Sequence, residues 1–104
     1  MIIVTTDDVP GRRIVTTHGL VRGSAVRSRS LPRDIMAFVR GLVGGEIPEY
    51  TKTLAETREQ ALDRMAEAAQ ATGANAIVGM RFVSAELMGS AAELLAYGTA
   101  VTIE

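Results

Sequence analysis

The stretch from Thr51 to Val83 constrains the fold more than any other part of this chain. From Thr51 to Thr72, Leu54, Ala61, Leu62, Met65 and Ala69 recur at helical spacing along one face, while Glu56, Arg58, Glu59, Asp63, Arg64 and Glu67 are mostly left to water. Gly73 follows where a helix needs a C-terminal residue with positive φ. Ala74, Asn75 and Ala76 then leave only a two- or three-residue turn before the β-formers of "AIVGMRFV". A turn this short lays the helix back on the sheet to which the next strand belongs, and the alanines permit a close approach. Because Glu59 and Asp63 are like charges four apart, packing and not ion pairing is expected to hold the helix.

The remaining elements follow from turn and strand signals. "IIVTT" reads as a short first strand, "TDDVPG" as a turn, and "RIVTTHGLV" as a longer strand of β-branched residues in which Gly19 and Gly23 mark bulges or close backbone approaches. "VRSRS" extends the sheet. Ser30 and Pro32 then open a helix over about 33–43, with Ile35, Phe38, Val39 and Leu42 on one stripe and Gly44-Gly45 as its stop. "EIPEY" reads as a loop anchored by Tyr50, "SAELMGSAA" as a connection, and "ELLAYGTAVTI" as the last strand; Gly79 suggests a bulge or a crowded neighbour, and Gly98 removes a side chain inside its strand. The fold class is α+β: a two-layer β-α-β-β unit, its last two strands a hairpin, in which helices cover an antiparallel sheet. One domain spans residues 1–104.

Composition limits the core and the chemistry. A chain of 104 residues buries only about two-thirds of its unfolded surface. With 4% aromatics and no Trp, small aliphatic side chains must do the packing. The absence of Cys excludes disulfides, thiolate metal sites and cysteine nucleophiles, and fits a reducing cytoplasm. The N-terminus lacks a signal-peptide core and no run approaches about 18 apolar residues, so a soluble cytoplasmic protein without membrane contact is expected. No G-x-S-x-G, P-loop or G-x-G-x-x-G motif is present, which points away from an enzyme.

The succession "GLVRGSAV", "RDIMAFVRGLVGGEIPEYT", "AETREQALDRM", "GANAIVGMRF" and "AYGTAV" resembles the YbjQ-like family, labelled as heavy-metal-binding proteins of unknown function, over nearly the whole chain. The resemblance implies a small α+β subunit with a β-α-β-β core like that of the dodecin subunit. It also implies a ring-shaped homo-oligomer, a pentamer or a multiple of it, in which extra N-terminal strands join neighbouring subunits. The chain departs from some members that carry Asp on the strand after the glycine turn, having Arg81 and Val83 there. It also has Gly23-Ser24-Ala25 where many members carry Gly-Glu-Ala.

His18 is the sole histidine. With no thiolate available, a divalent metal ion would need His18 together with the carboxylates Asp7 and Asp8, brought together only through symmetry-related copies in a ring; otherwise His18 reads as a strand residue on a partly exposed face. Asp7 and Asp8 suit a turn, and Asp34 suits the first turn of a helix. Between Val9 and Arg33 lie Arg12, Arg13, Arg22, Arg27, Arg29 and Arg33 with no acid, although the whole chain has a net charge of −1. Arg22, Arg27, Arg29 and Arg33 are the candidate anion-binding set. Their segment holds no aromatic for base stacking, which argues against nucleic acid, and a solvated set, or one paired with the acidic long helix or another subunit, explains them better. Two functional classes result: a ring-forming, non-enzymatic oligomer that holds an ion or small ligand between subunits or on its axis, and an anion- or nucleic-acid-associated scaffold.

Overall fold

A four-stranded sheet with one helix on it makes up residues 1–28, 48–87 and 91–104, the part of the chain that the computed structural model describes. The elements are β1 (Ile2–Ile3), β2 (Ile14–Ser28), α1 (Pro48–Ala71), β3 (Ala76–Leu87) and β4 (Ala91–Ile103). The sheet order is β1-β3-β4-β2, with β4 antiparallel to both its neighbours and β1 parallel to β3. β2, α1 and β3 therefore form a split β-α-β unit with β4 inserted between its strands. The α+β class and the β-α-β-β order are as expected. The sheet is mixed instead of purely antiparallel, because β1 pairs in parallel within its own chain.

Two boundaries and one burial expectation differ from the sequence reading. "EIPEY" is not wholly a loop: α1 begins at Pro48, where a missing N–H has no helical partner to lose. "SAELMGSAA" is mostly strand, since β3 runs to Leu87 and β4 starts at Ala91, with the ladder continuing through Ala85↔Glu93 and Glu86↔Ala92. Cross-strand pairing there outweighs weak local β-propensity. Leu54 is 42% exposed, whereas Thr57, Ala61, Met65 and Ala69 form the buried row among the described side chains of α1. The helix expected over 33–43 lies outside the described residues, as do Asp34, Arg29 and Arg33.

The core has two sides. Ala61, Met65 and Ala69 pack on Val21, Ala25, Ile77, Met80, Ala96 and Ala100 beneath α1. On the opposite face Ala76, Val78, Val101 and Ile103 are covered by Val4, Val9 and Ile14 of the N-terminal segment. Small residues on β2 and β4 let the helix come close, and α1 overlies these two strands while scarcely reaching β3. At the tight turn Gly73 has φ 89°, as its position after the helix demands. The Asn75 side-chain amide pairs with Ile103 like one more strand residue, donating to its carbonyl at 2.9 Å and accepting from its N–H at 2.8 Å.

Candidate functional site

Beyond the N-terminal segment, no described element covers the face of the sheet away from α1, and strand alternation decides what it presents. Ala96 and Gly98 of β4 are buried on the helix side, so Tyr97 between them faces out. Arg22 of β2, between buried Val21 and Gly23, stands directly opposite Tyr97 on one flank, and Arg81 of β3 stands opposite it on the other. Residues paired in this way share a face and have Cβ atoms about 5 Å apart. The result is a cross-strand row, Arg22–Tyr97–Arg81.

The row depends on a bulge. The β3–β4 register shifts between Val78 and Arg81, where Gly79 adopts φ 62°. Two residues there face Gly98 alone, and the phase of β3 changes. Met80 enters the core under α1, and Arg81, not Met80, arrives beside Tyr97. The N-terminal segment fills the outer side of the bulge: Gly79 N donates to Thr6 O at 2.8 Å and Met80 N to Val4 O at 3.0 Å. Arg81 Nη1 donates to Thr5 O at 2.8 Å and to Met80 O at 2.7 Å, which holds its guanidinium in place. Arg22 makes no hydrogen bond or ion pair with a described residue. The adjoining rows of the face are Leu20–Thr99 on one side and Ser24–Leu95–Val83 on the other, all uncharged. Glu93 lies one row further, with Val26 and Ala85.

The other sequence-predicted residues are scattered. Arg13 sits just before β2 and pairs with Glu104 at 2.9 Å, reinforcing a backbone exchange between the same two residues. Both side chains are well exposed, so this pair adds little stability. Arg12 is exposed in the preceding turn, and Arg27 continues β2 opposite Ala92. The arginine run is thus split along the strand, and only Arg22 gains a companion in the described sheet, Arg81, which lies 59 positions away in sequence and outside the expected set.

Part-buried His18 hydrogen-bonds through Nε2 to Thr102 Oγ1 at 2.7 Å. Thr102 alternates with Val101 and Ile103, so this contact lies on the helix side of the sheet. Asp7 and Asp8 are exposed in the segment whose Val4 and Val9 pack on the other side; the Asp8 carbonyl accepts from Thr6 Oγ1 at 2.6 Å. Among the described residues no three His, Asp or Glu side chains form a group able to hold a metal ion. No described helix is long and apolar enough to cross a membrane.

Fold and site together define a small α+β protein with one sheet face under a helix and the other carrying a cationic row around a tyrosine. The chain belongs to the YbjQ family, described as "putative heavy-metal-binding", which matches residues 1–104. It is 56% identical over 104 residues to a UPF0145 protein of Pyrococcus abyssi, covering 100% of this chain and 91% of that one. A UPF0145 protein of Methanosarcina acetivorans is 50% identical over 103 residues, 99% of this chain and 97% of the relative. Neither relative carries an enzymatic name. A Pediococcus pentosaceus protein of unknown function from the DUF74 family shares the fold, with TM-score 0.67 at 17% identity, covering 100% of this chain and 98% of that one.

Proposed function

We propose that this chain is a non-catalytic, cytoplasmic subunit of a homo-oligomer, a pentameric ring or a multiple of one, which holds a divalent metal ion or small ligand between subunits or on its axis. One observation carries the reading. Phe82 and Val83 are consecutive on β3 and point to opposite faces, yet they are 42% and 48% exposed. A strand that exposes a large apolar side chain on each face is suited to having something against both sides. α1 meets this strand only around Ile77 and Met80, and among the described residues the N-terminal segment bonds to it as far as Arg81. The described residues extend 55 × 25 × 16 Å with a radius of gyration of 17.4 Å, against about 13 Å for a compact chain of this size. A second copy supplies the missing contacts at no cost in new sequence.

In this reading a metal ion draws on His18, Asp7 and Asp8 from several subunits, since one subunit does not gather them. Native mass spectrometry of protein purified without added metal tests the proposal, because it reports subunit number and retained ligand together. A single oligomer of defined size is the expected result. A folded monomer of 11.0 kDa at micromolar concentration overturns the proposal.

A further inference from the structure

We infer that the Arg22–Tyr97–Arg81 row is a binding site for single-stranded nucleic acid, one base stacking on the Tyr97 ring and the phosphates on either side of that base meeting the two guanidiniums. The inference goes beyond self-association, and the row lies next to the Val83 row on the same face of the sheet. Three observations support it.

The first is charge. Arg22 and Arg81 lie two strand spacings apart, about 10 Å, on one face whose adjoining rows hold no carboxylate. Neither arginine is ion-paired with a described residue. Two guanidiniums on one face add their fields and attract an anion lying between or across them. Planar guanidiniums suit phosphate because their forked N–H groups match its oxygens.

The second is the ring between them. Tyr97 is partly exposed on the outward face, flanked by Leu95 and Thr99. An aromatic side chain on an open sheet face offers a stacking platform that any base can use. The arginine-rich segment alone lacks an aromatic, and β4 brings one to it.

The third is symmetry about the ring. A free mononucleotide carries its phosphates on one side of its base and would leave one arginine idle. A strand carries phosphate on both sides of each base, which is the arrangement of the row. A duplex keeps its bases stacked within itself and cannot use Tyr97.

Fluorescence anisotropy with a labelled short oligothymidylate and the native oligomer tests the site. Binding at low salt is expected to weaken with salt at a log–log slope of about −1.4, the value for two phosphates of a single strand. Arg22→Gln is expected to reduce the slope to about −0.7. Tyr97→Leu is expected to lower affinity about tenfold with the slope unchanged, and Tyr97→Phe to keep most of the affinity. Circular dichroism and native mass matching the unmodified protein establish that each variant is folded. No binding at low salt, the outcome if a second copy covers this face, overturns the inference. So does duplex or inorganic polyphosphate binding as tightly as the single strand, or binding that the Arg22 and Tyr97 changes leave intact. None of these results bears on subunit number, so the oligomer proposal stands or falls separately.

Discussion

Gly23 of β2 lies directly against the backbone of α1 at Met65. A Cβ on Gly23 would collide with the Met65 amide nitrogen and the Ala61 carbonyl oxygen, and would stand 2.8 Å from the Arg64 carbonyl carbon. Backbone cannot swing aside as a side chain can. Gly23→Ala is therefore expected to lift the helix and cost about 1–3 kcal/mol, seen as a lower urea midpoint with little change in slope.

The buried row of α1 makes a graded prediction. Met65 is fully buried, Leu62 half-buried at its flank and Leu54 exposed. Met65→Ala is expected to cost about 2–5 kcal/mol, Leu62→Ala less, and Leu54→Ala within about 0.5 kcal/mol. Denaturant titration of the three variants checks the order, and equal losses would mean that the covered face is misassigned.

Asn75 replaces a residue of strand with its own side chain. Asn75→Ala removes both bonds to Ile103 while keeping the turn, and is expected to cost about 1–2 kcal/mol. Hydrogen exchange at the Ile103 amide should accelerate more than at Val101, which lies deeper in the ladder. Uniform acceleration would point to global destabilisation instead.

Phe82 and Val83 are the proposed seat of subunit contact. Val83→Lys is expected to shift the native mass distribution toward smaller species while leaving the circular dichroism of the subunit unchanged. An unchanged assembly would place the interface elsewhere.

For metal, the scattering of His18, Asp7 and Asp8 predicts no tight site within one subunit. Calorimetric titration with zinc, copper and nickel should show weak binding, or about one ion per ring that is lost in His18→Ala. One tight ion per subunit surviving His18→Ala would contradict this.

Much of the architecture was legible in the chain. Helical spacing from Thr51 onward, followed by Gly73 and a short turn, announced a helix folded back on its own sheet, because periodicity and a positive-φ residue are local properties. The extent of the hairpin was not legible. "SAEL" and "AA" have no strong β-preference of their own and become strand only because each faces the other. The N-terminal strand was visible as a run of β-formers, whereas its parallel partner was not, since pairing joins residues distant in sequence.

The arginines show the same division most clearly. Their abundance between Val9 and Arg33 is plain in the sequence, and Gly79 was recognisable as a place where a strand bulges or meets a crowded neighbour. Which arginine meets which aromatic was decided by register. A one-residue bulge at Gly79 sends Met80 inward and turns Arg81 toward Tyr97, while β2 carries Arg22 to the ring's other flank. Side chains alternate with a period of two, so a shift of one residue exchanges the faces of everything beyond it. The sequence by itself therefore determined that cations, small residues and a tyrosine were available. Only the tertiary structure, through one bulge and two strand pairings, decided that they share a surface.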